Sequence, residues 1–253
     1  MAYGKTIQIF IPDENPRGIR IAEITSRIVQ IILVPRANFD EAASRIELQD
    51  YGVYFLVGNP EDESKPLLYV GEGEDCFERL KDHNKRKDFW SVALVVISKS
   101  HSFTKTHVKF LEWFSYTEAL KAGRFRLDNS NIPNQTYAPE SIKADLLDHF
   151  DTIKILLSTL GYPIFDAITK PSQHEIVRCT VRDIYAEGQY TEEGFVVFKG
   201  SKCFIEESKA IGTWIKSLRA KLKDEDILAQ DGQTYKFTSD YLFTSPSAAA
   251  GVS

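Results

Sequence analysis

Six side chains between Tyr54 and Asn129 have the types that grip oxyanions, hold hard cations or move protons: Tyr54, Tyr69, Arg79, His83, Glu112 and Asn129. A guanidinium stays charged and offers two parallel hydrogen bonds to an oxyanion. An imidazole exchanges a proton near neutrality, and a carboxylate suits a hard divalent cation. A phenol is basic only near pH ~10 unless a nearby cation lowers its pKa. Singly, each has a plainer reading: strand tyrosines pack, Arg79 and His83 line a wet helix face, Glu112 points out at a helix rim, and Asn129 forms a turn. Their occurrence together weakens the plain readings.

Those residues must be positioned by elements legible in the pattern. Tyr51 to Gly58 is β-branched and aromatic, Asn59 to Pro66 is a polar turn, and Leu67 to Gly71 is a second apolar run; together they predict a hairpin that puts Tyr54 and Tyr69 on neighbouring strands. Asp75 can cap a helix from Cys76 to about His83, on which Arg79 and His83, four apart, share one face. Trp90 to Ser98 predicts a third strand. Thr104 to Lys121 turns helical, with Glu112 inside Phe-Leu-Glu-Trp-Phe and Gly123 as the stop signal.

Around this core, Lys5 to Pro12 alternates as a strand and Ile28 to Val34 as a second, expected to pair with it. Phe39 to Leu48 predicts a short helix capped by Asn38, and Ala144 to Leu160 another ending near Gly161. Ile168 to Gln173 is the expected linker. Beyond it, His174 to Tyr185 and Phe195 to Ile205 are expected as strands, Gly212 to Leu222 as a helix and Tyr235 to Phe243 as a strand or extended piece, with Ser245 to Ser253 loose. No internal repeat is visible.

Charge is unevenly placed. From Arg79 to Lys109, eight Lys and Arg residues, among them Lys81, Lys85, Arg86, Lys87 and Lys105, stand against Asp82 and Asp88, so this stretch is +6 within a chain of net charge −5. A solvated face is the plain reading; a nucleic-acid surface is the functional one.

The 253 residues are 43% hydrophobic and 26% charged, enough apolar material for one or two globular domains and outside the ranges of disorder, collagen or coiled coil. The apolar run near the start is too short to cross a bilayer, and the first twenty residues, with Asp13, Glu14 and two prolines, do not form a signal peptide; a cytosolic chain without a membrane partner is expected. Cys76, Cys179 and Cys203 are far apart and form no chelating pair, so they are expected as reduced thiols filling space.

Gly52-Val53-Tyr54, then Tyr69-Val70-Gly71, then Arg79, His83, Glu112 and Asn129 in order resemble the GIY-YIG nuclease family over about Asp50 to Gln135. The resemblance implies an α+β fold, with a small antiparallel or mixed sheet flanked by helices, and hydrolysis of a phosphodiester with one divalent metal, Mg²⁺ or Mn²⁺. It assigns the metal to Glu112 and the scissile phosphate to Arg79. A tyrosine, Tyr69 or Tyr54, would take the proton from the attacking water, with His83 as the alternative base. Asn129, with Asn131 as a nearby rival, would orient Glu112 or the phosphate. Many members have a lysine directly after the second motif, where this chain has Glu72; that departure puts the rate in question.

Gly194-Phe195-Val196-Val197, Lys199-Gly200-Ser201, Phe237-Thr238-Ser239-Asp240-Tyr241 and Ser245-Pro246-Ser247-Ala248-Ala249-Ala250 resemble an uncharacterised domain that follows GIY-YIG modules in bacterial proteins. Such domains usually continue past the Ser-Pro-Ser-Ala motif, so the resemblance implies that this chain either ends early or is a piece of a longer one.

The expected organisation is an N-terminal strand-helix extension over 1–48, a nuclease-like module over 49–135, a helical extension over 136–167 and a smaller α+β C-terminal domain over 174–253. The expected activity is Mg²⁺-dependent endonucleolytic cleavage of DNA, with RNA as a further possible substrate and the oligomeric state left open. The alternative is a catalytically silent nucleic-acid-binding or assembly module of the same fold.

Overall fold

The computed structural model describes residues 4–60, 64–166, 176–181, 184–191, 193–205 and 212–252. The chain divides into two compact units, Met1–Ala167 and Ile168–Ser253. The expected linker, 168–173, lies outside the described residues.

The first unit is built on seven strands: β1 (Ile7–Phe10), β2 (Arg20–Ile24), β3 (Val29–Pro35), β4 (Gly52–Gly58), β5 (Leu67–Gly73), β6 (Val92–Ser98) and β7 (Arg126–Leu127). Their order across the sheet is β1-β2-β3-β6-β4-β5-β7. All neighbours are antiparallel except β5 and β7, which run parallel. The helices are α1 (Phe39–Ala42), α2 (Cys76–Arg86), α3 (Lys105–Ala122) and α4 (Glu140–Thr159).

Side chains alternate across a strand, so the central strands feed two cores. Ile31, Leu33, Val53, Phe55, Leu94 and Val96 pack with residues of α3 and α4 on one face. Ile32, Val34, Tyr54, Leu56, Val95 and Ile97 pack with α1, α2 and Trp90 on the other. With both faces covered, β4 is buried at every position, which is why its sequence is continuously apolar.

The segments 1–48, 49–135 and 136–167 share this sheet and its cores: β3 pairs with β6, and α4 packs against β2 and β3. The sheet therefore extends well beyond the small one the motifs implied.

Several expectations need correcting. The first strand does not pair with Val29–Pro35, because β2 lies between them; Arg-Ile-Ala-Glu-Ile breaks strict alternation and concealed it. The helix after Asn38 stops at Ala42, and Asn38 makes no side-chain cap bond; its amide instead reaches Glu41 at 2.9 Å. The helix expected from Ala144 begins at Glu140, directly after Pro139, a residue suited to a helix start.

The capping expectations at the site held. The Asp75 side chain accepts from Glu78 N at 3.0 Å, and α3 ends at Gly123, φ 67°; at its start Thr104 N donates to His107 Nδ1 at 3.3 Å, a cap outside those expectations.

The second unit contains β8 (Ile176–Val181), β9 (Ile184–Thr191), β10 (Gly194–Val197), β11 (Lys202–Phe204), α5 (Thr213–Asp224), β12 (Leu228–Asp231), β13 (Thr234–Phe237), β14 (Tyr241–Phe243) and α6 (Pro246–Val252). They form a β14-β10-β9-β8 sheet and a β11-β13-β12 sheet. The strand expected over His174 to Tyr185 spans parts of β8 and β9, the one expected over Phe195 to Ile205 is β10 and β11 with a turn between them, and the strand or extended piece expected over Tyr235 to Phe243 is β13 and β14. The tail expected to be loose is α6, with Ala248, Ala249 and Val252 buried. Cys76 and Cys203 are buried as expected, but Cys179 is exposed and fills no space.

Both units mix helices and sheets, an α+β architecture. Among the described residues no helix is long and apolar enough to cross a membrane.

Candidate active site

The β5 edge sets the geometry. Strand β7 pairs with β5 only at Leu67 and Leu68, and Asp128 N then bonds Leu68 O at 2.8 Å. At the next position a side chain replaces backbone: Val70 N donates to Asn129 Oδ1 at 3.0 Å and Asn129 Nδ2 donates to Val70 O at 2.7 Å. Beyond Asn129 no further strand among the described residues pairs with β5 on this side; Gly71 and Gly73 are nonetheless buried and Glu72 half-buried.

Register places the two motifs against each other. Tyr54 lies opposite Gly71, and Gly52 opposite Gly73. A Cβ at Gly71 would sit 2.5 Å from the Tyr54 hydroxyl, and one at Gly52 would sit 2.6 Å from Val96 O. Both glycines are therefore required by close approach. Space at Gly71 lets the buried Tyr54 ring lie flat across the hairpin towards α2, where its hydroxyl meets His83 Nε2 at 2.9 Å. The Tyr69 ring lies near both, stacked with its centroid 6.2 Å from that of Tyr54 and tilted 4.7 Å from that of His83.

Electrostatics divides these groups. Burial drives the Tyr54 phenol well above its ordinary pKa, with the Tyr69 phenol adding to the rise and Arg79 only partly opposing it. Tyr69, half-buried, is also raised, by burial and then by the Glu112 carboxylate, while Arg79 and the Tyr54 hydroxyl act to lower it. His83 is pushed down to about 4 by burial and by the charges of Arg79 and Lys87, so it is neutral at pH 7. Arg79, exposed on α2, is made still more basic by the two phenols.

Glu112 projects from α3 into the same field. Burial and the neighbouring Glu72 carboxylate raise it to about 7, against the pull of Lys105, Lys109 and Arg79. Among the described residues it has no hydrogen bond or ion pair. A half-buried carboxylate without a partner, close to a second carboxylate, fits a hard divalent cation that keeps most of its water. No group of three His, Cys, Asp or Glu able to enclose a metal is present among the described residues, and such an ion does not require one.

The structure thus brings Tyr54, Tyr69, Arg79, His83 and Glu112 together from β4, β5, α2 and α3. Asn129 is joined to them through the Val70 backbone and not by a bond to Glu112. Lys87 lies at the rim, its Nζ 4.6 Å from the Tyr69 ring centroid and paired with Asp128. Lys105 binds Glu72 at 3.0 Å and Glu74 at 3.3 Å. Lys81 pairs with Glu78 at 3.0 Å, while Lys85 and Arg86, exposed on the last turn of α2, have no ion pair among the described residues.

Two contacts escaped the sequence reading. Glu72, legible there only as the residue after the second motif, sits beside Glu112 with Lys105 as its counter-ion, and Asp128, which no motif singles out, anchors Lys87. Both pairings join residues more than thirty positions apart, and no local pattern announces them.

Residues 177–253 match a family model described as "Domain of unknown function (DUF4357)". That match covers the second unit alone. No curated protein matches the chain, and no solved structure matches it.

Proposed function

We propose that the first unit is a metal-dependent endonuclease of the GIY-YIG type that hydrolyses phosphodiester bonds in DNA. The observation that carries this reading is Glu112: a half-buried carboxylate with no bonding partner among the described residues, within electrostatic reach of Arg79, Tyr69 and Glu72.

In this reading Glu112 and its bound waters hold Mg²⁺ or Mn²⁺, with Glu72 near enough to tune its charge. The ion would neutralise charge that gathers on the phosphate oxygens. Arg79 grips a non-bridging oxygen through its forked donors, stabilising the same charge as it grows. Tyr69, the less buried phenol and the one whose pKa the Glu112 carboxylate raises, would orient the attacking water and accept its proton only as the phenolate, which requires the bound cation and Arg79 to bring that raised pKa down. Tyr54, by stacking, and neutral His83, by a tilted ring contact, fix the Tyr69 ring, and Asn129 fixes its strand. Lys85 and Arg86 are free to meet backbone phosphates, with Lys81, Lys87 and Lys105 reaching the same strand once their ion pairs open.

Glu72 favours a second reading, a nucleic-acid-binding module without turnover, because it adds negative charge where an incoming phosphate must sit. Cleavage assays on branched, flapped and single-stranded DNA with Mg²⁺ or Mn²⁺, run beside binding titrations at several salt concentrations, separate the two. Cleavage supports the nuclease; salt-sensitive binding without cleavage supports the silent module.

A further inference from the structure

The second unit holds a cavity of about 480 Å³ lined by β8, β9, β10, β11, α5 and α6. Its wall is mostly apolar and includes Val177, Cys179, Val181, Tyr190, Phe195 and Ala249. Three of these are unusually open for their type: Val177 is 44% exposed, Val181 48% and Tyr190 64%. A volume of this size suits a small molecule.

Arg219, on α5, also lines the cavity and is only 2% exposed. Its Nε and Nη2 are buried without a hydrogen-bond partner, and no carboxylate pairs with it among the described residues. Among the described residues its guanidinium lies 5.6 Å from the Tyr235 ring centroid, and Lys223 Nζ lies 4.6 Å from the same ring. Two cations on one ring do not compensate each other. Arginine cannot escape by losing its proton, and a buried charge without a counter-charge is strongly unfavourable.

The other charges at the wall are already engaged. Lys202 pairs with Asp231 at 3.3 Å. Glu187 is held by Arg178 at 3.0 Å and by the Tyr185 hydroxyl. Among the described residues, Arg219 is the charge at this wall that lacks its complement.

We propose that this cavity binds a small organic acid, with one anionic head group against Arg219 and an apolar body along the Val177, Cys179 and Val181 wall of β8. The site belongs wholly to the second unit and stands whether or not the first unit cleaves DNA. Carboxylate, sulfonate and phosphate heads share the required chemistry.

Calorimetric titration of the full chain with octanoate, octanol and octylammonium tests it, alongside Arg219→Met, which keeps the side-chain length, and Cys179→Trp, which fills the cavity from an exposed strand. The expected result is one octanoate per chain, bound about tenfold or more tightly than octanol, with octylammonium weakest. Arg219→Met should abolish the preference for octanoate and leave octanol binding unchanged, and Cys179→Trp should weaken both. Should Arg219→Met fail to fold, the wild-type ratio of octanoate to octanol and the effect of Cys179→Trp decide alone. Equal affinity for octanoate and octanol, no binding of either, or binding untouched by Cys179→Trp overturns the proposal.

Discussion

The Tyr54 hydroxyl and Nε2 of His83 lie 2.9 Å apart, joining the first glycine-tyrosine motif to the helix that carries Arg79. The contact explains why His83, neutral at pH 7, is better suited to hold a ring in place than to take a proton: a group held to about 4 is a weak base under working conditions.

That depressed value has a consequence for folding. Between about 4 and the ordinary 6.5, the unfolded chain takes a proton on this side chain that the folded chain refuses. Stability therefore falls as pH drops through that window, and this group causes no further loss below it. Urea unfolding across the window should show a shallower pH dependence for His83→Gln than for the wild type.

Glu112 has the opposite sign. Its carboxyl rises from 4.5 to about 7 in the folded protein, so between those values the folded chain holds the proton and stability declines as pH rises. Without divalent metal, Glu112→Gln should be more stable than the wild type at pH 8 and indistinguishable from it at pH 4, as read by thermal unfolding. Added Mn²⁺ should raise the melting temperature of the wild type alone, and less at pH 6 than at pH 8, because the ion must displace that proton.

Gly71→Ala tests the fit between the motifs. A methyl group there meets the Tyr54 ring at 2.5 Å, and Tyr54 is fully buried, so the ring has no easy retreat. A cost of about 1–3 kcal/mol is expected. Cleavage should fall at least about tenfold, because Tyr54 leaves His83 and Tyr69 loses its stacking partner.

Asn129→Ala removes both bonds to the Val70 backbone. Denaturant unfolding should show a loss of about 1–3 kcal/mol. Asn129→Asp should recover only part of it, since a carboxylate accepts from Val70 N and repels Val70 O. Asn131→Ala should leave stability near the wild-type value.

These residues also show which parts of the structure were legible. The hairpin, the Asp75 cap and the Gly123 stop of α3 follow from local chemistry, so Tyr54, Tyr69, Arg79, His83 and Glu112 were placed on the right elements. What was hidden depends on distant pairing. Strand β2 owes its place to neighbours on both sides; two-residue β7 has too little sequence to show a period; and the Glu72–Lys105 and Lys87–Asp128 pairs exist only once the sheet edge is built. In the second unit, breaks after Val197 and after Phe237 split the later apolar runs, and Arg219 looked like an ordinary basic residue on a helix until its burial was seen.

The central claim is most directly tested by nicking of supercoiled plasmid in Mg²⁺ or Mn²⁺, comparing the wild type with Glu112→Ala and Arg79→Met. The account predicts metal-dependent conversion to the open circle by the wild type, lost on chelation and reduced at least about a hundredfold in both variants. Equal nicking by wild type and Glu112→Ala, or a wild type as inert as its variants while still binding the plasmid, would contradict it.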